Sequence, residues 1–504
     1  MTPLRAAFHA LTLVLMLLTL STPAQDTTLT LTARTRIPVA GIAGLYEPRE
    51  RPLDWKPAET AVIFIDVWDR HWCQGAVRRL EPLVPRMNEL AKAIRSKGGL
   101  IIHAPSDTCD KFYADYPGRK LAKSAPPATP PVTMKGWCSL ILDKEGPLPI
   151  TDSDGGCDCE PRCKEGIVWK QEHPGIEIAA GDYISENGEE IYNVFHQRGI
   201  RNVIVAGVHT NMCILGRSFG IRRLVSCGFN VVLVRDLTDT MYNHRAAPFV
   251  PHDRGTDLVI EHVEKNWCPT ILSTDILGGR KPPHIVFALD EPEYKAKETL
   301  PAFAKQELEE KLGWKVTVMA SDDVKNLPNT EAIASADLLV IFMRRTTLPD
   351  EQFARFKAYF DAARPVLGIR TASHAFQNWL DFDHAILGGN YHNHFPNPLA
   401  SSLSPVAAAK PHPILRGVAP LEFKSTGSLY MTTPLAKTAT PLLLGTVPNQ
   451  PEEPAAWTNI ANGGRVFYTS LGHPDDFALP QYRKLLVNAM LWTMDRPIPA
   501  NPAP

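Results

Sequence analysis

Apolar residues recur along this chain in two rhythms that alternate. Short unbroken apolar runs at residues 60–66, 100–103, 203–206 and 231–234 read as strands buried on both faces of a parallel sheet. Between them, apolar positions three and four apart predict amphipathic helices. These cover residues 80–97, where Leu83, Met87, Leu90 and Ile94 share a face, and then 188–198, 212–227 and 255–266. After GGRKPP at 278–283 the alternation resumes, with strands at 285–288, 316–319, 338–342 and 366–369 and helices at 300–312 and 350–362. An apolar run at 442–444, a strand at 465–469 and a helix at 481–494 close the pattern. Strand–helix alternation of this kind builds a parallel sheet with helices on both faces. The expected class is therefore α/β: two three-layer α/β/α domains with mainly parallel sheets, at 58–275 and 285–498, joined by a linker at 276–284.

Two stretches break the rhythm. Residues 25–57 are polar, threonine-rich and then proline-bearing, and read as an ordered lead-in that wraps the first domain. Residues 104–167 have little periodicity, carry PPATPP at 126–131 and end in a knot of cysteines. So long an irregular stretch inside a compact domain marks a functional or cross-linked insertion.

Composition changes little in this picture. The 504 residues suffice for several cores, and 44% apolar with 21% charged residues is ordinary for a globular protein. A net charge of −1 offers no electrostatic footing for nucleic acid. The N-terminus changes more. Arg5, the apolar run LTLVLMLLTL at 11–20 and the small residues that follow predict a signal peptide over residues 1–24. The protein is then secreted or periplasmic, with no membrane association after removal of the signal.

Export in turn decides how the 9 cysteines read. In an oxidising compartment, Cys73, Cys109, Cys138, Cys157, Cys159 and Cys163 form an even set that would pin the insertion with disulfides. The rival is a zinc site made by Cys138, Cys157, Cys159 and Cys163, whose C-x-C-x3-C spacing lacks the usual C-x2–4-C pairs. The odd count leaves a thiol over.

That thiol is placed by NVIVAGVHTNMCILGRSFGIRRLVSC at 202–227. A buried strand ends at Gly207, and Thr210 or Asn211 can cap the next helix. Cys213 then sits at a strand-to-helix turn, where unpaired N–H groups and the helix dipole favour a thiolate. A small buried cysteine packing strand against helix is the plain alternative. Asp66 ends its own strand, and both residues fall at the carboxyl edge of the sheet, where α/β proteins bind ligands.

With FID ending at Asp66, a downstream lysine before an amphipathic helix, and GVHTNMC ending at Cys213, the first half resembles the isochorismatase-like cysteine hydrolases, whose domain is Rossmann-like. The resemblance implies an Asp–Lys–Cys triad: Asp66 as proton acceptor, Cys213 as nucleophile, and Lys170, in IVWKQEHPG, as the cation. It also implies a cis peptide at Val208–His209, with the backbone N–H groups of His209 and Cys213 as oxyanion donors. Read singly, Asp66 could simply cap a loop and Lys170 could be a solvated lysine. Trp68, His71, Trp72 and Arg78 are candidates for the pocket wall, against the alternative that the tryptophans pack under the insertion. An Asp-x-His metal motif has no match near His103 or His71, so neither metal nor cofactor is expected.

The second half, with GIRTASHAF at 368–376, EPAAW at 453–457 and GRVFYTSLGHPDDF at 464–477, resembles the trehalose-utilisation (ThuA-like) family, related to class I glutamine amidotransferases. The resemblance implies a flavodoxin/glutaminase-like domain. The position of the glutaminase cysteine holds Arg370, and no cysteine follows Cys268, so thiol catalysis there is excluded. His374, His392, His394 and His473 with Asp475 either line a polar, carbohydrate-binding cleft or are solvated loop residues. The combined reading is an exported cysteine hydrolase cleaving a C–N bond of a small amide-type substrate, with a ThuA-like accessory domain. An inactive binding or scaffold protein and a vinyl-ether hydrolase of the isochorismatase type stay open, as does a homo-oligomer.

Overall fold

The computed structural model describes residues 28–499 apart from 322, 324 and 398. The expected signal peptide lies outside the described residues. Two large mixed sheets organise the molecule, each flanked by helices.

The first sheet is built from β1 (Leu29–Pro38), β2 (Tyr46–Trp55), β3 (Thr60–Ile65), β4 (Leu100–Ala104), β5 (Tyr183–Ile184), β6 (Asn202–Val208), β7 (Asn230–Asp239) and β8 (Thr270–Ile271). Their order is β2-β1-β8-β7-β6-β3-β4-β5. Every residue of β3, β4 and β6 is buried, which is why these strands read as unbroken apolar runs. The pairs β3–β4, β3–β6 and β6–β7 are parallel. The lead-in is not a wrap but a hairpin: β1 pairs β2 antiparallel along its length and joins the sheet edge through Arg34 opposite Thr270.

Chain order turns round at β3. The chain runs outward through β4 and β5, then returns to lay β6 on the other side of β3. Such a switch point opens a crevice at the strands' carboxyl ends. Asp66 follows β3 and Cys213 follows β6, so both stand at its mouth.

The second sheet comprises β9 (His284–Asp290), β10 (Lys315–Ala320), β11 (Leu338–Met343), β12 (Val366–Ile369), β14 (Ser401–Pro405), β15 (Phe423–Ser425), β17 (Thr440–Thr446), β18 (Glu453–Ala461) and β19 (Gly464–Thr469). The order is β10-β9-β11-β12-β19-β18-β17-β14-β15, and a separate pair joins β13 (Asn393–His394) to β16 (Tyr430–Met431). Strands β9 to β12 and β19 are parallel, whereas β14, β15, β17 and β18 extend the sheet antiparallel.

The helical expectations shift in two places. The single helix expected over 80–97 is two, α1 (Gln74–Leu80) and α2 (Val84–Ser96), the second opened by a proline in its first turn. The helix expected over 212–227 is a wide turn, Thr210–Ile214, followed by a break and the short helix Ile221–Ser226. Gly216 lies flat against Trp137, where a Cβ would approach the ring to 2.4 Å. Neither Thr210 nor Asn211 caps it. The Thr210 hydroxyl bonds to Thr238 and the Asp239 carbonyl, and Asn211 bridges Asp152 and the Met241 backbone.

The hairpin also ties the halves together. Arg34 and Arg36 of β1 pair with Glu264 of the first half and Asp495 of the second, and Arg416 pairs with Glu47 at 2.8 Å.

Candidate active site

Asp66 is fully buried and adopts a left-handed backbone, φ 53°, a conformation that costs a non-glycine residue on the order of 1 kcal/mol. The turn aims its carboxylate back across the sheet edge. Oδ1 accepts the Ser106 N–H at 2.9 Å, and Oδ2 accepts Nε of Arg217 at 2.9 Å. The buried Cys213 side chain is near enough for the Asp66 charge to act on its thiol. At Gly207, in β6, φ is +118°, and a Cβ would meet the Ile65 carbonyl oxygen at 2.1 Å. Only glycine lets β6 run this close to β3.

Lys170 is not part of this group. It is exposed, on a loop whose backbone N–H bonds to Asp69 at 2.9 Å, and its side chain has no contact with Asp66 or Cys213. The cation is Arg217, in the chain segment that also carries Cys213. Its backbone N–H bonds to the Cys213 carbonyl at 3.0 Å, closing a helical turn. The signal was in the sequence: a residue four beyond the cysteine falls on the same face of a turn. The resemblance points upstream to a lysine, whereas the arginine inside NMCILGR lies on the cysteine's own turn.

Electrostatics follow from these contacts. Burial, and then the Asp66 charge, push the Cys213 thiol well above its ordinary range, with Arg217 and the His209 N–H pulling the other way. At rest the sulfur is therefore a thiol, contrary to the thiolate expected at a helix start. Burial disfavours the Arg217 charge, yet Asp66 and Cys213 more than offset this and hold the guanidinium protonated. The Val208–His209 peptide is cis.

The expected pocket residues separate. Trp68 and His71 are buried beside the site. The Trp68 indole N–H bonds to the Ser106 carbonyl at 3.0 Å, and its ring stacks on Trp169 at 4.1 Å. His71 stacks on the same Trp169 and meets His209 edge-on at 5.0 Å. Burial lowers His71 to about 4 and His209 to about 3, so both rings are neutral. Trp72 is half-buried against the cysteine cluster. Arg78 is exposed and lines nothing. Its neighbour Arg79 is the inward one, bonding to Asp239 at 3.0 Å and Asp158 at 2.7 Å.

On the Arg217 side, a cleft of about 400 Å³ is lined by Trp137, Glu186, Asn187, Arg217 and Phe219 among others, a volume suited to a small molecule. Behind it, His103 of β4 is sealed between Glu172 and Asp182, at 3.4 and 3.2 Å. Both ring nitrogens are spent on carboxylates, which leaves neither for a metal.

The corresponding edge of the second sheet holds Arg370, also left-handed, φ 47°, and buried. Its guanidinium donates to the Ser470 carbonyl, Ser428 and the Tyr294 hydroxyl, and lies against the Tyr294 and Tyr430 rings. His374 stacks on Tyr391 at 4.6 Å, and His394 faces Tyr430 at 6.3 Å. His473 bonds to Thr426, which also donates to Asp475. His392 is exposed, its Nδ1 bonded to the Asn390 carbonyl. The histidines are thus dispersed over one aromatic surface rather than converging on a point.

The comparisons with known proteins fall on these two halves. Residues 286–493 match the family model described as ThuA, trehalose utilisation. No curated protein matches the chain. Among solved structures, a ThuA-like protein from Bacteroides uniformis is 18% identical, with 43% of this chain and 93% of that one covered and a TM-score of 0.35. A cysteine hydrolase from Pseudomonas syringae pv. phaseolicola is 16% identical, covering 44% and 93%, with a TM-score of 0.29. An isochorismatase family protein from Desulfovibrio vulgaris is 17% identical, covering 44% and 99%, at 0.26. These are the two families that the sequence motifs resemble.

Proposed function

We propose that the first half is a cysteine hydrolase acting on a C–N bond of a small amide-type molecule, exported with its ThuA-like partner domain. The observation that carries this reading is the juxtaposition of three side chains at one sheet edge: the buried Asp66 carboxylate, Arg217 held 2.9 Å from it, and the buried Cys213 thiol one turn before Arg217. A thiol becomes a nucleophile when a base takes its proton and a cation steadies the sulfur. Asp66 takes the proton as sulfur attacks the amide carbon, and Arg217 balances the charge that moves between them. Collapse of the adduct breaks the C–N bond, the Asp66 proton leaves with the amine, and a thioester remains. Asp66 then draws a proton from water as the water oxygen adds to the thioester carbon. The C–S bond breaks, the acid leaves, and the Asp66 proton returns to sulfur to restore the thiol.

The test is ammonia or amine release across a panel of small amides, with wild type and Cys213→Ala matched by circular dichroism. Turnover by wild type alone supports the reading. Equal background from both, or none from either, marks a retired pocket and favours a binding role.

For the second half we infer carbohydrate binding in the cleft lined by His374, Trp379, Asp383 and Tyr391, because partly open aromatic rings beside polar groups suit sugars. Titration with a sugar panel should show binding that Tyr391→Ala loses, and saturation unaffected by that change would remove the inference.

A further inference from the structure

Four cysteines outside the Asp66–Cys213 pair converge. The sulfurs of Cys73, Cys157 and Cys159 all lie within 4.8 Å of one another, with Cys73 and Cys159 3.9 Å apart. Cys163 packs against the same cluster, its sulfur accepting the Gln74 N–H beside Cys73. None of the nine cysteines is in a disulfide. Cys109, expected to pair with this set, is instead buried beside Tyr113 and Ile184. Cys138, expected to complete a zinc site, sits across the domain, its backbone bonded to Gly216 and Arg222.

We propose that Cys73, Cys157, Cys159 and Cys163 bind one zinc ion as a structural tetrathiolate site. Three features carry this. First, the spacing: tetrahedral zinc with Zn–S near 2.3 Å sets its sulfurs about 3.8 Å apart, whereas a disulfide brings them to about 2.05 Å. Second, the sulfurs do not resolve into pairs, because Cys73, Cys157 and Cys159 are all mutual neighbours and Cys163 packs against the same group. Third, backbone donors surround the sulfurs. The Gly75 N–H reaches Cys159 at 3.1 Å and the Gln74 N–H reaches Cys163 at 3.5 Å, the kind of outer hydrogen bonding that steadies metal thiolates.

The ion has a mechanical task. Residues 152–166 contain no helix or strand, and apart from the cysteines the loop is held by polar ties, from Asp152 to Asn211, Asp154 to Asn243 and Asp158 to Arg79. A tetrathiolate would staple it to the start of α1. From there the Cys73 N–H bonds to Nδ1 of His71 at 3.1 Å, and His71 packs on His209. Met212, next to Cys213, packs on the cluster too. The metal would thus fix the roof of the Cys213 site without touching substrate.

The experiment is elemental analysis of the full chain purified without added metal, paired with alkylation mapping of the wild type. We expect one zinc per chain, with these four thiols shielded until a chelator is added and Cys138 and Cys227 indifferent to it. Cys157→Ser and Cys163→Ser should each lose the zinc, Cys138→Ser should keep it, and cobalt exchanged into wild type should show thiolate-to-metal charge transfer. Zinc-free protein with disulfide-linked peptides among the four, iron in place of zinc, or zinc retained by both serine variants would overturn the proposal. None of these readouts depends on catalysis by Cys213.

Discussion

Two sheet edges in this chain share a backbone device and differ in everything attached to it. Asp66 after β3 and Arg370 after β12 are both buried, non-glycine residues in left-handed conformation directly after a parallel strand. At the first edge the strained residue is a carboxylate that meets a thiol and a guanidinium. At the second it is a guanidinium whose donors go to carbonyl and hydroxyl oxygens and whose faces are covered by tyrosines. Both folds thus aim a side chain out of the strand end, and only one aims it at a nucleophile. Position in an α/β sheet sets where chemistry can occur, and neighbouring side chains decide whether it does.

The sharpest way to break this contrast is through the cation. Arg217→Met should lower amide turnover about 10²-fold, the usual scale for losing one preorganised charge partner. Lys170→Met should leave turnover unchanged, since that side chain is solvated. Parallel initial rates decide it, and a dead Lys170→Met beside an active Arg217→Met would return the lysine to the site.

Arg370→Met should do the reverse. It strands the Ser470 carbonyl and the Ser428 and Tyr294 hydroxyls, costing on the order of 2–4 kcal/mol of stability in the second half. Hydrolysis below the melting temperature should not change. Thermal melts and assays on one preparation would read both, and lost activity without lost stability would mean that the two edges cooperate.

The smallest expected effect is on pH dependence, and it also separates the halves. Burial opposes charge on His103, but Asp182 and Glu172 more than offset it and raise the imidazole to about 9. The folded state therefore holds this proton more tightly than the unfolded chain, whose histidine titrates near 6.5. Its stabilisation is complete below about pH 6.5 and is lost as pH rises through about 9. Asp383 in the second half is raised by burial to about 7, with the Tyr391 N–H only partly countering. There stability should fall as pH rises from about 4, the unfolded value, to about 7. Melting curves for wild type, His103→Gln and Asp383→Asn should lose the alkaline and the acid-to-neutral slopes respectively, and unaltered slopes in both variants would refute the assignment.

Much of this was legible in the sequence, for a physical reason. Strands β3, β4, β6, β9, β11 and β12 are buried on both faces, so they print as apolar runs. The hairpin β1–β2 was not, because β2 (YEPRERPLDW) carries two prolines and five charged residues along an edge, where half the backbone faces no partner. Antiparallel β14, β15 and β18 hid for a similar reason, as they are short or proline-bearing. Within the site, Asp66 and Cys213 were legible as candidates because Asp66 directly follows β3 and Cys213 lies in the turn after β6. Arg217 was missed because resemblance directed attention upstream, although its spacing from Cys213 pointed to it. Three of the four clustered cysteines lie within seven residues, so their proximity was legible, although the sequence also offered Cys138 beside them. The fourth, Cys73, comes from a turn some eighty residues earlier, and spacing carries no information about such a partner.

The most direct test of the central claim is covalent trapping. A nitrile presents an amide-like carbon to which a nucleophilic thiol adds, and peptide mapping locates the adduct. Incubation of the native protein with a panel of small nitriles should place a single adduct on Cys213, lost in Cys213→Ala and slowed in Arg217→Met. Labelling spread over Cys227, Cys159 and Cys163 with Cys213 untouched would contradict the account.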